Sequence, residues 1–164
     1  MRDADLKLLR LMRTRGHSPG LESAAKALGK AANNGAVWVV LGVVLALLDP
    51  ERRESWLICA VLGPVAIGLN YGIKLLVKRP RPVLEGLPPL GGAPSSLSFP
   101  SAHALSSFAV ATAMFRVDSA TAGALLVALA ISLGRPYLGM HYPSDVLAGA
   151  LLGILLGLIV PLSL

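Results

Sequence analysis

The sequence is short of the features that build or decorate a soluble domain. It has one cysteine, Cys59, so no disulfide can close within the chain and the redox compartment is left open. Set in an apolar run, that cysteine reads as a small packing residue. Aromatic residues make up 5% of the chain and charged residues only 15%. No signal peptide is expected, because the first long apolar run starts only near Ala36. What is abundant is aliphatic. Of the 164 residues, 54% are hydrophobic, and the mean hydropathy is +0.68. That profile excludes an ordinary soluble domain and fits a multi-spanning membrane protein.

The net charge of +6 is unevenly placed, with Arg2, Lys7, Arg10, Arg13, Arg15, Lys26 and Lys30 all in the N-terminal segment. No globular domain exists to present these cations to a nucleic acid, so an anionic membrane surface is the expected partner. In "SPGLESAAKALGK", Ser18 is placed to cap a helix and Pro19 to occupy its first position. Leu21, Ala24, Ala25 and Leu28 share one face of that helix. Residues 1–32 are therefore expected to form amphipathic helices on the membrane surface.

Five apolar segments follow, at roughly 33–48, 55–77, 102–117, 119–134 and 144–163. A helix needs about 20 apolar residues to cross the hydrocarbon, and the third and fourth fall somewhat short. The expected fold is all-α. It is a polytopic membrane helix bundle of about five transmembrane helices over 33–164, preceded by the surface helices. Gly149, Gly153 and Gly157 recur at four-residue spacing, which allows close helix approach within the monomer by default, or at a homo-oligomer face. Residues 83–99, "VLEGLPPLGGAPSSLSF", read as an ordered but mobile loop. Lys78 and Arg79 join the N-terminal cations on one side, against Arg52, Arg53 and Arg116 on the other. The positive-inside rule then puts the N-terminus and the polar clusters in the cytoplasm.

Those clusters are three. "KLLVKRPRP" ends the second apolar segment with Lys74 and Arg81, and Pro80 should stop the helix and turn Arg81 back toward the bundle. "FPSAHA" opens the third, with Ser101 as a candidate cap and the amides of Ala102 and His103 as anion donors. "GRPYLGMHYPSD" joins the last two segments and holds Arg135, His141 and Asp145. Three cations, two histidines, a carboxylate and a helix N-terminus suit a tetrahedral oxyanion such as phosphate. Asp145, one turn beyond His141, can accept from Nδ1 and leave Nε2 as nucleophile or base. His103, on another helix, can act as general acid for the leaving oxygen.

Any one of these residues alone reads as structural, since Lys and Arg at span ends snorkel to headgroups. Together on one side they read as functional. A metal site is the weaker interpretation, because the cations would repel a metal. A non-enzymatic lipid-phosphate binder or transporter has no need of the histidines. No cofactor is called for.

With these clusters the sequence resembles the type 2 phosphatidic acid phosphatase family, which shares its core with vanadium haloperoxidases. The family's motifs are Lys-x6-Arg-Pro, Pro-Ser-Gly-His and Ser-Arg-x5-His-x3-Asp. Here they stand as Lys74 to Pro82, Pro100 to His103 and Gly134 to Asp145. The resemblance implies metal-independent hydrolysis of a lipid phosphate monoester or pyrophosphate, with His141 attacking phosphorus to form a phosphohistidine. It implies that Asp145 orients His141 and that His103 protonates the leaving group. Lys74, Arg81, Ser101, Ala102 and Arg135 would then bind the phosphoryl group. Two departures stand out: Ala102 replaces a Gly, and Gly134 replaces a Ser. The short chain and cationic N-terminus look like the small actinobacterial branch acting on decaprenylphosphoryl-5-phosphoribose. Undecaprenyl pyrophosphate, phosphatidic acid and phosphatidylglycerol phosphate are the alternative substrates, and a vanadate-binding, haloperoxidase-like enzyme is a third interpretation.

Overall fold

The computed structural model describes residues 2–92 and 96–163. Residues 93–95 of the loop expected over 83–99 lie outside the described residues. The two N-terminal helices form where the pattern predicts them, as α1 (Arg2–Thr14) and α2 (Pro19–Ala31). Ser18 caps α2, its hydroxyl accepting from the amide of Leu21 at 3.2 Å, and Pro19 occupies the first turn. Both helices fold back against the bundle, where Leu9 of α1 is fully buried.

The remaining helices are α3 (Ala36–Leu48), α4 (Arg53–Val77), α5 (Ala102–Val117), α6 (Gly123–Tyr137) and α7 (Pro143–Ile159). α5 is the axis of the fold and packs against α4, α6 and α7. It is buried nearly all round, from Ala104 through Met114. The glycine spacing serves this packing. A Cβ at Gly149 would lie 2.6 Å from the carbonyl of Ser101, and one at Gly157 would lie 2.5 Å from that of Ala109. α7 therefore lies directly on the backbone of α5. Arg116 at the far end donates to the carbonyls of Gly157 and Val160 at 2.8 and 2.9 Å, closing the C-terminus of α7. Trp38 donates to the Ser107 hydroxyl at 3.0 Å, tying α3 to the same axis.

The expected count of about five transmembrane helices is corrected. Among the described residues two helices are long and apolar enough to cross a membrane, Pro50–Val77 with 28 residues and Ser119–Tyr137 with 19. A third is reached only if the pair Pro19–Ala31 and Asn33–Leu48, bent by 52°, counts as one span. The shortfall has local causes. α3 stops before Asp49-Pro50 at 13 residues, α5 runs 16 residues between its caps Ser101 and Asp118, and α7 ends after 17 residues ahead of Pro161. At about 1.5 Å per residue each falls short of the roughly 30 Å hydrocarbon. α5, counted from its apolarity among the membrane-crossing segments, is instead a helix enclosed by protein. The architecture is that of an all-α, multi-pass membrane bundle with two or at most three such spans.

Candidate active site

Lys78 ends α4 by adopting a left-handed conformation, φ 52°, with its amide on the carbonyl of Lys74 at 2.9 Å. The chain then runs extended through Pro80, as Pro requires, and is held to the returning loop by Ser98, whose amide donates to the carbonyl of Arg79 at 2.8 Å. This reversal carries Arg81 to the end of the bundle where α5 and α7 begin. Ser101 ties those two helices together, its amide donating to the carbonyl of Asp145 at 3.0 Å.

The three clusters meet there. Arg81 Nη1 donates to the carbonyl of Met140 at 2.6 Å and lies 3.2 Å from His141 Nε2. Its other nitrogens bind the carbonyl and hydroxyl of Ser96 at 2.8 and 2.9 Å. Lys74 donates to the carbonyl of Leu97. Arg135, in the last turn of α6, donates to the Met140 sulfur at 2.7 Å, and its Nε is buried without a partner. Arg81 lies within Coulombic reach of Lys74, Arg135, His103 and His141.

A guanidinium can only donate, so the contact with Arg81 makes Nε2 of His141 the acceptor. The ring hydrogen then sits on Nδ1, which faces Asp145 Oδ2 at 3.5 Å. That separation is longer than a hydrogen bond, and among the described residues Nδ1 has no other partner. His141 is 3% exposed and Asp145 fully buried. Burial, with the charge of Arg81 beside it, outweighs the attraction of Asp145 and pushes the His141 imidazole down to about 4. Asp145 is fixed on both oxygens. Its Oδ2 accepts the amide of Tyr142 at 3.0 Å, closing the N-terminus of α7, and its Oδ1 accepts from Arg79 Nη1 at 2.6 Å.

One placement differs from the sequence expectation. Ser101 stands at the start of α5, but its hydroxyl makes no capping bond. Among the described residues that buried hydroxyl has no hydrogen-bond partner. Ala102 and His103 follow in the first turn, where backbone amides have no intrahelical acceptor. His103 Nε2 donates to the carbonyl of Gly29 at 3.0 Å, so the site is closed from above by α2. A Cβ at Gly29 would lie 2.5 Å from Arg135 Nη1. Gly134 also faces α2, because a Cβ there would touch that of Ala25 at 3.6 Å.

Sequence reasoning missed Arg79, which it counted only as an orientation-setting charge, and Asp5 and Gly29, which it did not single out. The position of Arg79 beside Pro80 was the available signal for the first. Asp5 and Gly29 carry no local signal, since each acts on residues distant in the chain. Among the described residues no group of three or more His, Cys, Asp or Glu gathers as metal ligands do. A groove of about 630 Å³, walled by Pro82, Leu84, Pro88 and Leu97, has Arg81 in its lining.

Residues 54–164 match the PAP2 superfamily. Decaprenylphosphoryl-5-phosphoribose phosphatase of Mycolicibacterium smegmatis is 40% identical over 131 residues, 80% of this chain and 72% of that protein. The protein of the same name from Mycobacterium tuberculosis is 38% identical over 142 residues, 87% of this chain and 80% of its own. The crystal structure of LpxE from Aquifex aeolicus superposes with a TM-score of 0.78 at 30% identity, covering 94% of this chain and 92% of the other. With a superfamily match across most of its length and relatives this similar, the chain belongs to the PAP2 superfamily of lipid phosphatases.

Proposed function

We propose that this phosphatase removes the phosphate of a polyprenyl-linked phosphate monoester, decaprenylphosphoryl-5-phosphoribose or a close analogue, by way of a phosphohistidine on His141. The observation that carries the mechanism is the pairing of Arg81 Nη1 with His141 Nε2 at 3.2 Å. It leaves the Nε2 lone pair beside a cation and the Nδ1 hydrogen toward Asp145. On substrate binding Arg81 Nη1 moves from Nε2 to a phosphoryl oxygen, and the bound dianion holds His103 as an imidazolium. Nε2 of His141 then attacks phosphorus, the bond from phosphorus to the ester oxygen breaks, and His103 passes its Nε2 proton to that oxygen and is left neutral. The leaving oxygen takes the place of the Gly29 carbonyl on His103. Water then attacks the phosphohistidine, giving up a proton to His103 and releasing inorganic phosphate.

Lys74, Arg81 and Arg135 neutralise the phosphoryl oxygens, and their bonds to carbonyls and sulfur are exchanged for bonds to the anion. The unpartnered Ser101 hydroxyl and the amide of Ala102 complete the cradle. The scheme requires no metal. Asp145 aligns the imidazole and stabilises its positive charge as the bond forms. The groove that contains Arg81 takes the sugar next to the reacting phosphate. The narrower substrate assignment is supported by the two mycobacterial relatives, whose similarity extends over at least 80% of this chain. A substrate made at the inner leaflet agrees with a cytoplasmic site.

The test is a turnover panel in EDTA across a polyprenyl phosphoribose phosphate, phosphatidic acid, phosphatidylglycerol phosphate and undecaprenyl pyrophosphate. The first should give the highest kcat/KM. A higher value for any other would replace the substrate, and full activity in His141→Ala would remove the mechanism.

A further inference from the structure

Asp5 of α1 sits beside the catalytic pair although it is 140 residues away from Asp145 in the chain. We propose that it is a positioning residue for the reaction, holding Arg79 against Asp145 and so setting the carboxylate that orients His141. The inference rests on the site reading above. Arg79 forks between the two carboxylates, Nη1 to Asp145 Oδ1 at 2.6 Å and Nη2 to Asp5 Oδ2 at 2.7 Å. Because the guanidinium is planar and rigid, fixing one nitrogen fixes the other. Nη1 also donates to the Ser144 hydroxyl at 2.8 Å, and the guanidinium lies 3.9 Å from the centre of the Tyr142 ring.

Asp5 holds the other partner of this contact as well. Its Oδ1 accepts the amide of Ser144 at 3.0 Å, and its Oδ2 accepts the Ser144 hydroxyl. Ser144 is in the first turn of α7, next to Asp145, where an anion is favoured by the helix N-terminus. One carboxylate thus clamps both the cation that grips Asp145 and the backbone that carries it. Although burial pushes Asp5 up, the Ser144 hydroxyl and Arg79 hold its carboxyl below the ordinary carboxylate range.

Anchoring of α1 does not account for this arrangement. Leu9 is fully buried, and Arg13 Nη2 donates to the carbonyl of Pro88 at 2.7 Å, so the helix is attached without Asp5. Removing Asp5 leaves Arg79 facing a groove lined by Leu8, Pro80 and Leu147. Nη2 then loses its carboxylate partner, and the contact of Nη1 with Asp145 loosens. The His141–Asp145 distance, already 3.5 Å, is the quantity this would disturb.

The experiment uses the full chain in lipid nanodiscs, with a polyprenyl phosphoribose phosphate and, beside it, phosphatidic acid as substrates. Asp5→Asn should lower kcat about tenfold and leave KM within about twofold, because it affects alignment rather than phosphate binding. Asp5→Glu should recover most of the loss. In an Asp145→Asn background, Asp5→Asn should have no further effect, since the two act as one unit. Ser144→Ala should give a smaller loss, about threefold, with the same dependence on Asp145. It serves in place of Asp5→Asn should that variant not fold. A kcat within twofold of the parent for Asp5→Asn, or for Ser144→Ala where Asp5→Asn does not fold, would overturn the proposal. So would equal losses in both backgrounds, which are the mark of a purely structural anchor. Turnover surviving in His141→Ala would instead remove the site reading itself. An inactive His141→Ala with an unaffected Asp5→Asn removes only the role of Asp5.

Discussion

Arg81 Nη1 stands 3.2 Å from Nε2 of His141, and this contact between a donor-only group and an imidazole decides the tautomer of the proposed nucleophile. The hydrogen on Nδ1 then faces a carboxylate whose other oxygen is held by Arg79. Asp145→Asn preserves shape but presents an amide to that hydrogen. Its kcat should fall by about 10² to 10⁴ with little change in KM. His103→Ala should also be slow on a lipid ester but much less impaired on p-nitrophenyl phosphate, whose leaving group does not need an acid. Equal loss on both substrates would take His103 out of that role.

The ionisation of His141 gives a second prediction. Burial and Arg81 push its imidazole down to about 4, so the free enzyme keeps His141 neutral well below the ordinary value of about 6.5. Between those two values the unfolded chain binds more protons than the folded one. The stability contributed by this group is therefore complete above about 6.5 and is lost as pH falls through about 4. Nitrogen NMR of labelled protein should show a neutral His141 ring at pH 5.5. A ring already protonated there would contradict the buried placement beside Arg81.

Gly29 is where α2 meets the site, and it tests whether that helix belongs to the machinery. An alanine there would put its Cβ 2.5 Å from Arg135 Nη1, forcing the guanidinium off its position. Displacing a phosphate clamp by about 1 Å should cost on the order of 10² in kcat/KM. Gly20→Ala, in the same helix with nothing within 4 Å of the added Cβ, should be unaffected. Thermal melts of the two variants separate loss of activity from loss of fold.

Much of this site was legible in the sequence, and the reason is specific. Lys74, Arg81, His103, Arg135, His141 and Asp145 lie at helix ends that Pro80, Ser101 and Pro143 mark. Local spacing therefore showed that these side chains stand at helix ends, while which of them meet across helices is set by packing that no local pattern records. The start of α2 was equally plain from Ser18 and Pro19. The span count was not, because hydropathy does not distinguish a helix enclosed by protein, as α5 is, from one facing lipid. Arg79 was mistaken for an orientation signal because its partner Asp5 is 74 residues away, and pairings of that range leave no local pattern. Gly134 faces Ala25 of α2 at a distance where a Cβ would make ordinary contact, and nothing in the structure explains why it stands in place of a Ser.

The side of the membrane is tested through Val83, which is 84% exposed in the loop after Arg81, whereas the native Cys59 is fully buried. In Val83→Cys cells, a membrane-impermeant maleimide should label the protein only after the membrane is opened. Labelling from outside intact cells would place the site on the outer face and reverse the positive-inside assignment.

The most direct measurement is to trap the intermediate. A lipid phosphate labelled with ³²P is mixed with excess enzyme in EDTA, and the reaction is quenched within milliseconds in alkali. The account predicts protein-bound label that is stable to base, labile to acid, located on His141 and lost in His141→Ala. Turnover without such label, or label that persists in His141→Ala, would contradict it.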